Sequence, residues 1–359
     1  MSINPFYVGT CENIANNERP IIFKPTLEEK PFKPFLIKDP FGLRKAVVPV
    51  FKRKINGEIC GMGTAFHVDG WGTFLTADHL IEFAREVQSS ASSWKDISQN
   101  PSEQPVLFLG MGLGYGSLEI PKESFAAVTF MASFLQERLD PLANLTGVAR
   151  PKHAVDLSVM SAEIVSHPDV PPPHFIPVRA SRWQPTIGET ILAVGFPELE
   201  CQRLDKHDTK LLLIEGMFGA YGRITKIHAN GINQSNPTPV FEVECNWRSG
   251  MSGGPVFNSS GEVVGLVSRS LPPDNDLPGV GWATYFELIP NFNELVPTLD
   301  EFNPRWRRGW AVLKSTPEHW HLADFFKTEA EAQQLAESIG YDYEVKYGSR
   351  LFGTDSFVS

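Results

Sequence analysis

The chain has 359 residues, enough at roughly 150 per domain for two domains with full cores, which excludes a single small repeat or a disulfide knot. Its 32 Lys and Arg against 42 Asp and Glu give a net charge of -10, which disfavours general affinity for nucleic-acid phosphates or anionic lipid. With 42% hydrophobic residues and 29 each of Pro and Gly, the composition is globular, turn-rich and inclined to β structure.

From Met1 to about Pro40, prolines at 20, 25, 31, 34 and 40 forbid a long helix, and this stretch reads as an arm laid across a domain. From Lys45 the texture changes. Ala46 to Phe51 is β-prone, Asn56-Gly57 is a hairpin signal, and Gly63 to Val68, Gly70-Trp71-Gly72 and Thr73 to Ala77 read strand, turn, strand. After His79 a short helical pattern leads into a polar stretch from Ser89 to Pro105, expected to be an insertion. The stiff run Pro168-Asp-Val-Pro-Pro-Pro-His174 is unable to pair inside a sheet and predicts a crossing between two halves. Beyond it, Thr190 to Val194, Leu211 to Ile214, Gly222 to Ile227, Val240 to Cys245, Gly254 to Phe257 and Glu262 to Ser268 are short strands separated by turn signals, the pattern of an antiparallel barrel. Past about Leu299 a strand at 310–314, an amphipathic helix at 328–339 and a strand at 341–347 predict a compact βαβ unit. The division expected is an arm at 1–43, two β-barrels at 44–299 with the crossing near 168–174, and an accessory unit at 300–359.

Cys11, Cys60, Cys201 and Cys245 lie far apart with no C-x-x-C pair, so four free thiols are expected and no metal site. The first residues carry neither a basic nor an apolar leader region, and no run of about 18 apolar residues occurs. A cytoplasmic protein without membrane contact is the expectation.

The hexapeptide Gly250-Met-Ser-Gly-Gly-Pro255 carries the chemistry. A Ser between glycines sits on a tight turn, where backbone N–H groups can approach a substrate carbonyl closely. In an α/β-hydrolase the acid and the His would follow the Ser, but here Pro255 and the hairpin strand after Gly261 fail that pattern. A His and an Asp lie upstream instead: His79 at the end of Phe74-Leu-Thr-Ala-Asp-His, and Asp156 inside Val155-Asp-Leu-Ser-Val. The order His79, Asp156, Ser252 suits a nucleophile, a base and an orienting carboxylate carried on two facing barrels. The spacing from His79 to Asp156 is long, and Asp140 and Asp169 are the other acidic candidates. The N–H groups of Gly250 and Ser252 would form the oxyanion hole.

With Ser252-Gly-Gly-Pro-Val-Phe, Ile187-Gly-Glu-Thr-Ile-Leu-Ala-Val-Gly-Phe-Pro and Gly279-Val-Gly-Trp-Ala in this order, the chain resembles the trypsin-like serine peptidases, and most of all the HtrA/Deg protease core without a PDZ segment, over roughly Lys45 to Pro290. The resemblance implies a chymotrypsin-like double β-barrel and a serine endopeptidase acting on protein or peptide substrates without a cofactor. It further implies that Ser268, Arg269 and Ser270 form the wall that pairs with the substrate backbone, and that Asn246 lies near the base of the specificity pocket. In the trypsin-type zymogen mechanism a new N-terminal amine pairs with an Asp just before the catalytic Ser; that position is Met251 here. Asp78 stands where the family usually has a small residue, and a solvated or turn-capping carboxylate is expected. The other readings are a catalytically silent binding module and an esterase or autoprocessing acyl transferase on the same fold.

Three further motifs read as structural. Gly110 to Gly116 lacks the helix and acidic residue of a dinucleotide loop. Arg305 to Trp310 fits packing at a junction better than nucleic-acid stacking, and His319-Trp-His321 has no third ligand. The accessory unit, carrying none of the triad, is expected to be separable from the chemistry and to bind a regulatory protein.

Overall fold

The computed structural model describes residues 5–10, 13, 21–23, 32–38, 42–53, 59–69, 72–82, 84, 105–108, 118–121, 125–137, 152–162, 174–176, 178–179, 183–197, 199, 201–203, 210–213, 216–233, 236–274, 277–292, 296, 306–315, 320–351, 355 and 357–358. The Asn56-Gly57 turn, Gly70-Trp71, Gly110 to Gly116, Asp140, Asp169, Cys11, most of the Ser89 to Pro105 stretch and all of the Pro168 run except His174 lie outside these residues.

The arm supplies β1 (Phe6–Tyr7), β2 (Ile21–Phe23) and β3 (Phe35–Leu36). β1 and β2 pair with each other, while β3 adds to a strand of the second barrel. Phe6, Val8, Phe32 and Ile37 are buried, and the Phe6 ring lies 5.3 Å from that of Tyr221. The described residues of the arm are thus anchored on the second barrel by apolar side chains and by the β3 pairing.

The first barrel is built from β4 (Val47–Arg53), β5 (Ile59–His67), β6 (Thr73–Thr76), β7 (Pro105–Phe108), β9 (Phe125–Glu137) and β10 (Lys152–Ala162). Its strands close in the order β10-β6-β5-β4-β7-β9. β8 (Leu118–Pro121) leaves this barrel and pairs with β13 (Lys210–Leu213), which also pairs with β12 (Cys201–Arg203). That excursion, together with the 13-residue β9, accounts for part of the long spacing between His79 and Asp156.

The second barrel comprises β11 (Thr190–Gly195), β14 (Phe218–His228), β15 (Val240–Cys245), β16 (Pro255–Phe257), β17 (Val263–Leu271) and β18 (Val280–Tyr285). Its strands run β11-β16-β17-β18-β15-β14, and the β11 to β14 pairing closes the ring. Strand period explains the apolar run of β11, whereas in β17 the register against β16 shifts between Val263 and Gly265 and breaks the simple alternation. Ile191, Ala193, Val264 and Val267 point into this barrel, whereas Leu192, Val194, Val263 and Leu266 point outward into a core shared with the arm and the first barrel. With both faces buried, the strands lose the usual alternation of apolar and polar residues.

The C-terminal residues form a sheet of their own, β20-β19-β21-β22, from β19 (Trp306–Ser315), β20 (Trp320–Phe326), β21 (Tyr343–Leu351) and β22 (Phe357–Val358), with helix α1 (Glu329–Ile339) between β20 and β21. All three pairings are antiparallel. This corrects the expected βαβ unit, which implies parallel strands: the sequence Trp320-His-Leu-Ala-Asp-Phe-Phe alternates too weakly to announce β20. Val312, Ala332 and Ala336 form the core between helix and sheet.

If the arm is an integral part of the fold, Phe6→Ala should destabilise the whole protein by about 3 to 5 kcal/mol, as large-to-small core substitutions do. Urea unfolding with an unchanged midpoint would overturn that role.

Candidate active site

His79 sits in a short 3-10 turn, Asp78–Leu80, directly after β6. Asp156 lies on β10, the neighbour of β6, where Ser158 pairs with Thr76. The His79 Nδ1 is 2.9 Å from Asp156 Oδ1 and 3.1 Å from Oδ2, and the His79 backbone N–H also donates to Oδ1 at 3.1 Å. An ionised carboxylate only accepts, so Nδ1 carries the hydrogen and Nε2 keeps its lone pair. The ring is 39% exposed and Asp156 only 6%, which leaves the basic nitrogen's ring open to a reactant and its partner shielded from water.

Three hydroxyl groups of the second barrel complete the site, and the sequence offered no signal for them. Ser268 donates to Asp156 Oδ2. The Asp156 N–H donates to Thr238 Oγ1 at 2.9 Å, and its carbonyl accepts from Thr284 Oγ1 at 3.0 Å. This revises the reading of Ser268: its side chain is buried and serves Asp156, at a point where the β17 to β18 register shifts between Val267 and Arg269. Arg269 is exposed on the same strand and pairs with Trp282, while Ser270 donates to the Trp247 carbonyl at 3.0 Å.

Ser252 lies in the tight turn before β16. Its carbonyl accepts from Thr64 N–H at 2.8 Å. The next residue, Gly253, has φ +82°, and a Cβ there would stand 3.0 Å from the Ala77 N and strike the Thr64 carbonyl. Only glycine allows this approach, and it seats the Ser252 turn against the end of β6 and Ala77, two residues before His79. Within the turn, Met251 N–H donates to Arg248 O at 3.1 Å, Gly253 N–H to Val267 O at 2.7 Å and Gly254 N–H to Met251 O at 2.9 Å. Among the described residues, the N–H groups of Gly250 and Ser252 donate to no backbone carbonyl. Two available donors flanking a Ser suit an oxyanion site.

Asp78 departs from the sequence reading. It is buried and accepts hydrogen bonds from Ser133 Oγ at 2.6 Å and from Ser158 Oγ, so it braces the turn from inside the first barrel. Asn246 is half-buried, whereas the neighbouring Trp247 is 1% exposed and packs in the core of the second barrel. A Cβ at Gly281 would collide with the Trp247 ring and stand 2.7 Å from Cys245 Sγ. Cys60 and Cys245 form no disulfide. Among the described residues no group of three His, Cys, Asp or Glu is placed to hold a metal ion, and no helix is long and apolar enough to cross a membrane.

Two barrels meeting at a His–Asp pair beside a glycine-flanked Ser define the architecture of the chymotrypsin-like serine peptidases. The trypsin-like peptidase domain family matches residues 63–266, more than half of the chain, and the protein belongs to that family. The "Serine endoprotease DegS" of Escherichia coli is 30% identical over 116 residues, 32% of this chain and 28% of that relative. The "Probable periplasmic serine endoprotease DegP-like" of Pseudomonas fluorescens is 24% identical over 166 residues, 46% of this chain. The matches thus span 28% and 31% of the relatives' own lengths. The cytoplasmic expectation gains no support from these relatives, one of which is named as periplasmic.

Partial burial works against the charged imidazolium, but the hydrogen bond to Asp156 and then its charge outweigh it, so His79 titrates above its ordinary 6.5; Arg269 pulls down and Asp78 pushes up. For Asp156, burial pushes up while the His79 hydrogen bond and charge, then Ser268, pull the carboxyl below its ordinary 3.8. The signs give two windows of stability. The His79 contribution is complete below 6.5 and fades as pH rises through the raised value; that of Asp156 is complete above 3.8 and fades as pH falls through the lowered one. The His79 ring followed by NMR should therefore titrate above 6.5 in the wild type and lower in Asp156→Asn. An unshifted midpoint in Asp156→Asn would show that the pair does not set the His79 charge.

Proposed function

We propose that the protein is a serine endopeptidase in which His79, Asp156 and Ser252 act as one catalytic unit. The observation that carries this reading is the buried Asp156 holding Nδ1 of a partly exposed His79 beside the Ser252 turn. Ser252 Oγ attacks the scissile carbonyl carbon as its proton passes to His79 Nε2, and the carbonyl oxygen becomes an oxyanion facing the Gly250 and Ser252 N–H groups. Collapse breaks the C–N bond, and His79 returns the proton to the leaving amine. A water then adds to the acyl-enzyme by the same route in reverse roles, freeing the acid and restoring Ser252. The residues do this within an arm at 1–43, a peptidase domain at 44–299 and a C-terminal unit at 300–359.

The substrate is a protein or peptide with an uncharged residue before the scissile bond. Asn246, near the expected base of the specificity pocket, puts no carboxylate there to pair with Lys or Arg. Arg269 and Ser270 line the wall along which the peptide backbone runs.

A fluorophosphonate probe should label the full-length wild type and leave Ser252→Ala untouched, and either Ser252→Ala or His79→Ala should lower peptide turnover by about a millionfold without further loss in the double variant. Turnover retained in Ser252→Ala would sink the mechanism. Labelling with ester but no peptide hydrolysis would make the protein an esterase on the same fold, and an unlabelled wild type would make it a binding module. In a peptide-library digest, uncharged residues should dominate before the cleaved bond; a majority of Lys or Arg would refute this specificity.

A further inference from the structure

We propose that Lys327, in the C-terminal unit, is a positioning residue for His79: it holds the far end of the strand that delivers the imidazole. Its Nζ donates to Thr73 Oγ1 at 2.8 Å and stands 3.8 Å from Asp69 Oδ2, contacts that join the C-terminal sheet to the first barrel. Thr73 begins β6 and Asp69 follows β5, and the Thr73 N–H donates to Asp69 Oδ1 at 3.1 Å. Lys327 is therefore clamped onto both sides of the β5 to β6 connection.

The clamp is stiff at its own end. Lys327 stands between the last residue of β20 and Thr328, the N-cap of α1, where Thr328 and Glu331 form a reciprocal capping box. A strand before and a capped helix after leave its backbone little freedom. The clamp is equally stiff at the barrel. Asp69 is 10% exposed, with His67 Nε2 3.4 Å away. His67 Nδ1–H in turn meets the His174 carbonyl at 2.8 Å, Gly72 N–H donates to His67 Nε2 at 2.9 Å, and Thr10 Oγ1 is 3.0 Å from His174 Nδ1. Arm, interbarrel crossing, first barrel and C-terminal unit converge on this one polar hub.

From the hub to the site runs a single element. β6 has four residues, is paired to β5 on one edge and β10 on the other, and ends three residues before His79. At ~3.3 Å per residue, Thr73 to His79 is roughly 20 Å. Coupling over that distance needs a stiff connector, and a strand held on both edges is one. The far end of β6 also supports Ser252, because the Thr76 hydroxyl donates to Thr64 O at 2.8 Å where Gly253 packs. A shift of β6 thus misplaces the base and the nucleophile's turn together. The C-terminal unit is in this way a control element and not a detachable accessory: a regulatory protein that drew Lys327 off the hub would slow the reaction without touching the cleft.

The rate measurements rest on the peptidase reading; hydrogen exchange does not. In the full chain, Lys327→Met, which keeps the aliphatic stem, should lower kcat about threefold to tenfold with KM changed less than twofold. It should also speed exchange of the Thr73 to His79 amides relative to the rest of the barrel. Lys327→Arg should recover most of the rate, and Thr73→Val should reproduce the loss without adding to it in the double variant. Unchanged kcat, a loss seen only in KM, or additive losses would overturn the proposal. Should the wild type fail to react with the serine probe, the peptidase reading falls. The exchange result then decides alone: faster exchange upholds the positioning role, and unchanged exchange at 73–79 overturns it.

Discussion

A carboxylate that is 6% exposed and ionised must find its hydrogen bonds inside the protein, because an unpaired buried charge costs several kcal/mol. Asp156 finds them on both sides of the interbarrel seam. His79 reaches it from the 3-10 turn after β6, Ser268 from β17, and its own backbone is tied to Thr238 and Thr284 of the second barrel. No single barrel could satisfy this group, so the two must sit in one relative position before the charge is tolerated. The relation that keeps the hydrogen on His79 Nδ1 is thereby the relation that fixes how the two barrels meet.

The turn carrying His79 is held by a second buried carboxylate facing the other way. Asp78 accepts from Ser133 and Ser158 within the first barrel, while its neighbour's imidazole leans on Asp156. Successive residues of a 3-10 turn project in different directions, which lets one short turn be pinned by two barrels at once. A small residue at 78 would leave the turn fixed only from the His79 side. The same position supplies negative charge near the imidazole, adding to the effect of Asp156 on its titration.

The strands of both barrels were legible because their short apolar runs alternate with Gly, Pro and Asn turns, and the candidates His79, Asp156 and Ser252 because their types fall in order along the chain. What the sequence hid was of two physical kinds. Hydroxyl donors such as Thr238, Ser268 and Thr284 are common residues whose role depends on which carboxylate the fold brings to them, and no local pattern encodes that. Asp78 was misread for the same reason: a carboxylate beside a turn is usually solvated, and only β9 and β10 lying against it make it a buried acceptor. β20 was missed because its exposed face carries His321, Ala323 and Asp324 in no regular alternation, so its strand character comes from pairing with β19 and not from its own period.

Order in the Gly250 to Gly254 turn has a source within the chain. In the trypsin-type zymogen mechanism a newly made N-terminal amine pairs with an acid just before the nucleophile, but Met251 occupies that position, fully buried in the core of the second barrel. A thioether offers an ammonium no compensating charge, so inserting one there would leave it uncompensated. The turn is instead fastened by β5: Thr64 donates its N–H to Ser252 O and its hydroxyl to Gly250 O at 2.8 Å each, while accepting from Phe196 N–H at 2.9 Å. Thr64 thus ties the turn to both barrels, and Met251 packs its apolar side chain beneath it. With the arm's Phe6 and Val8 equally buried, removing the N-terminal residues would take away core without supplying a charge partner.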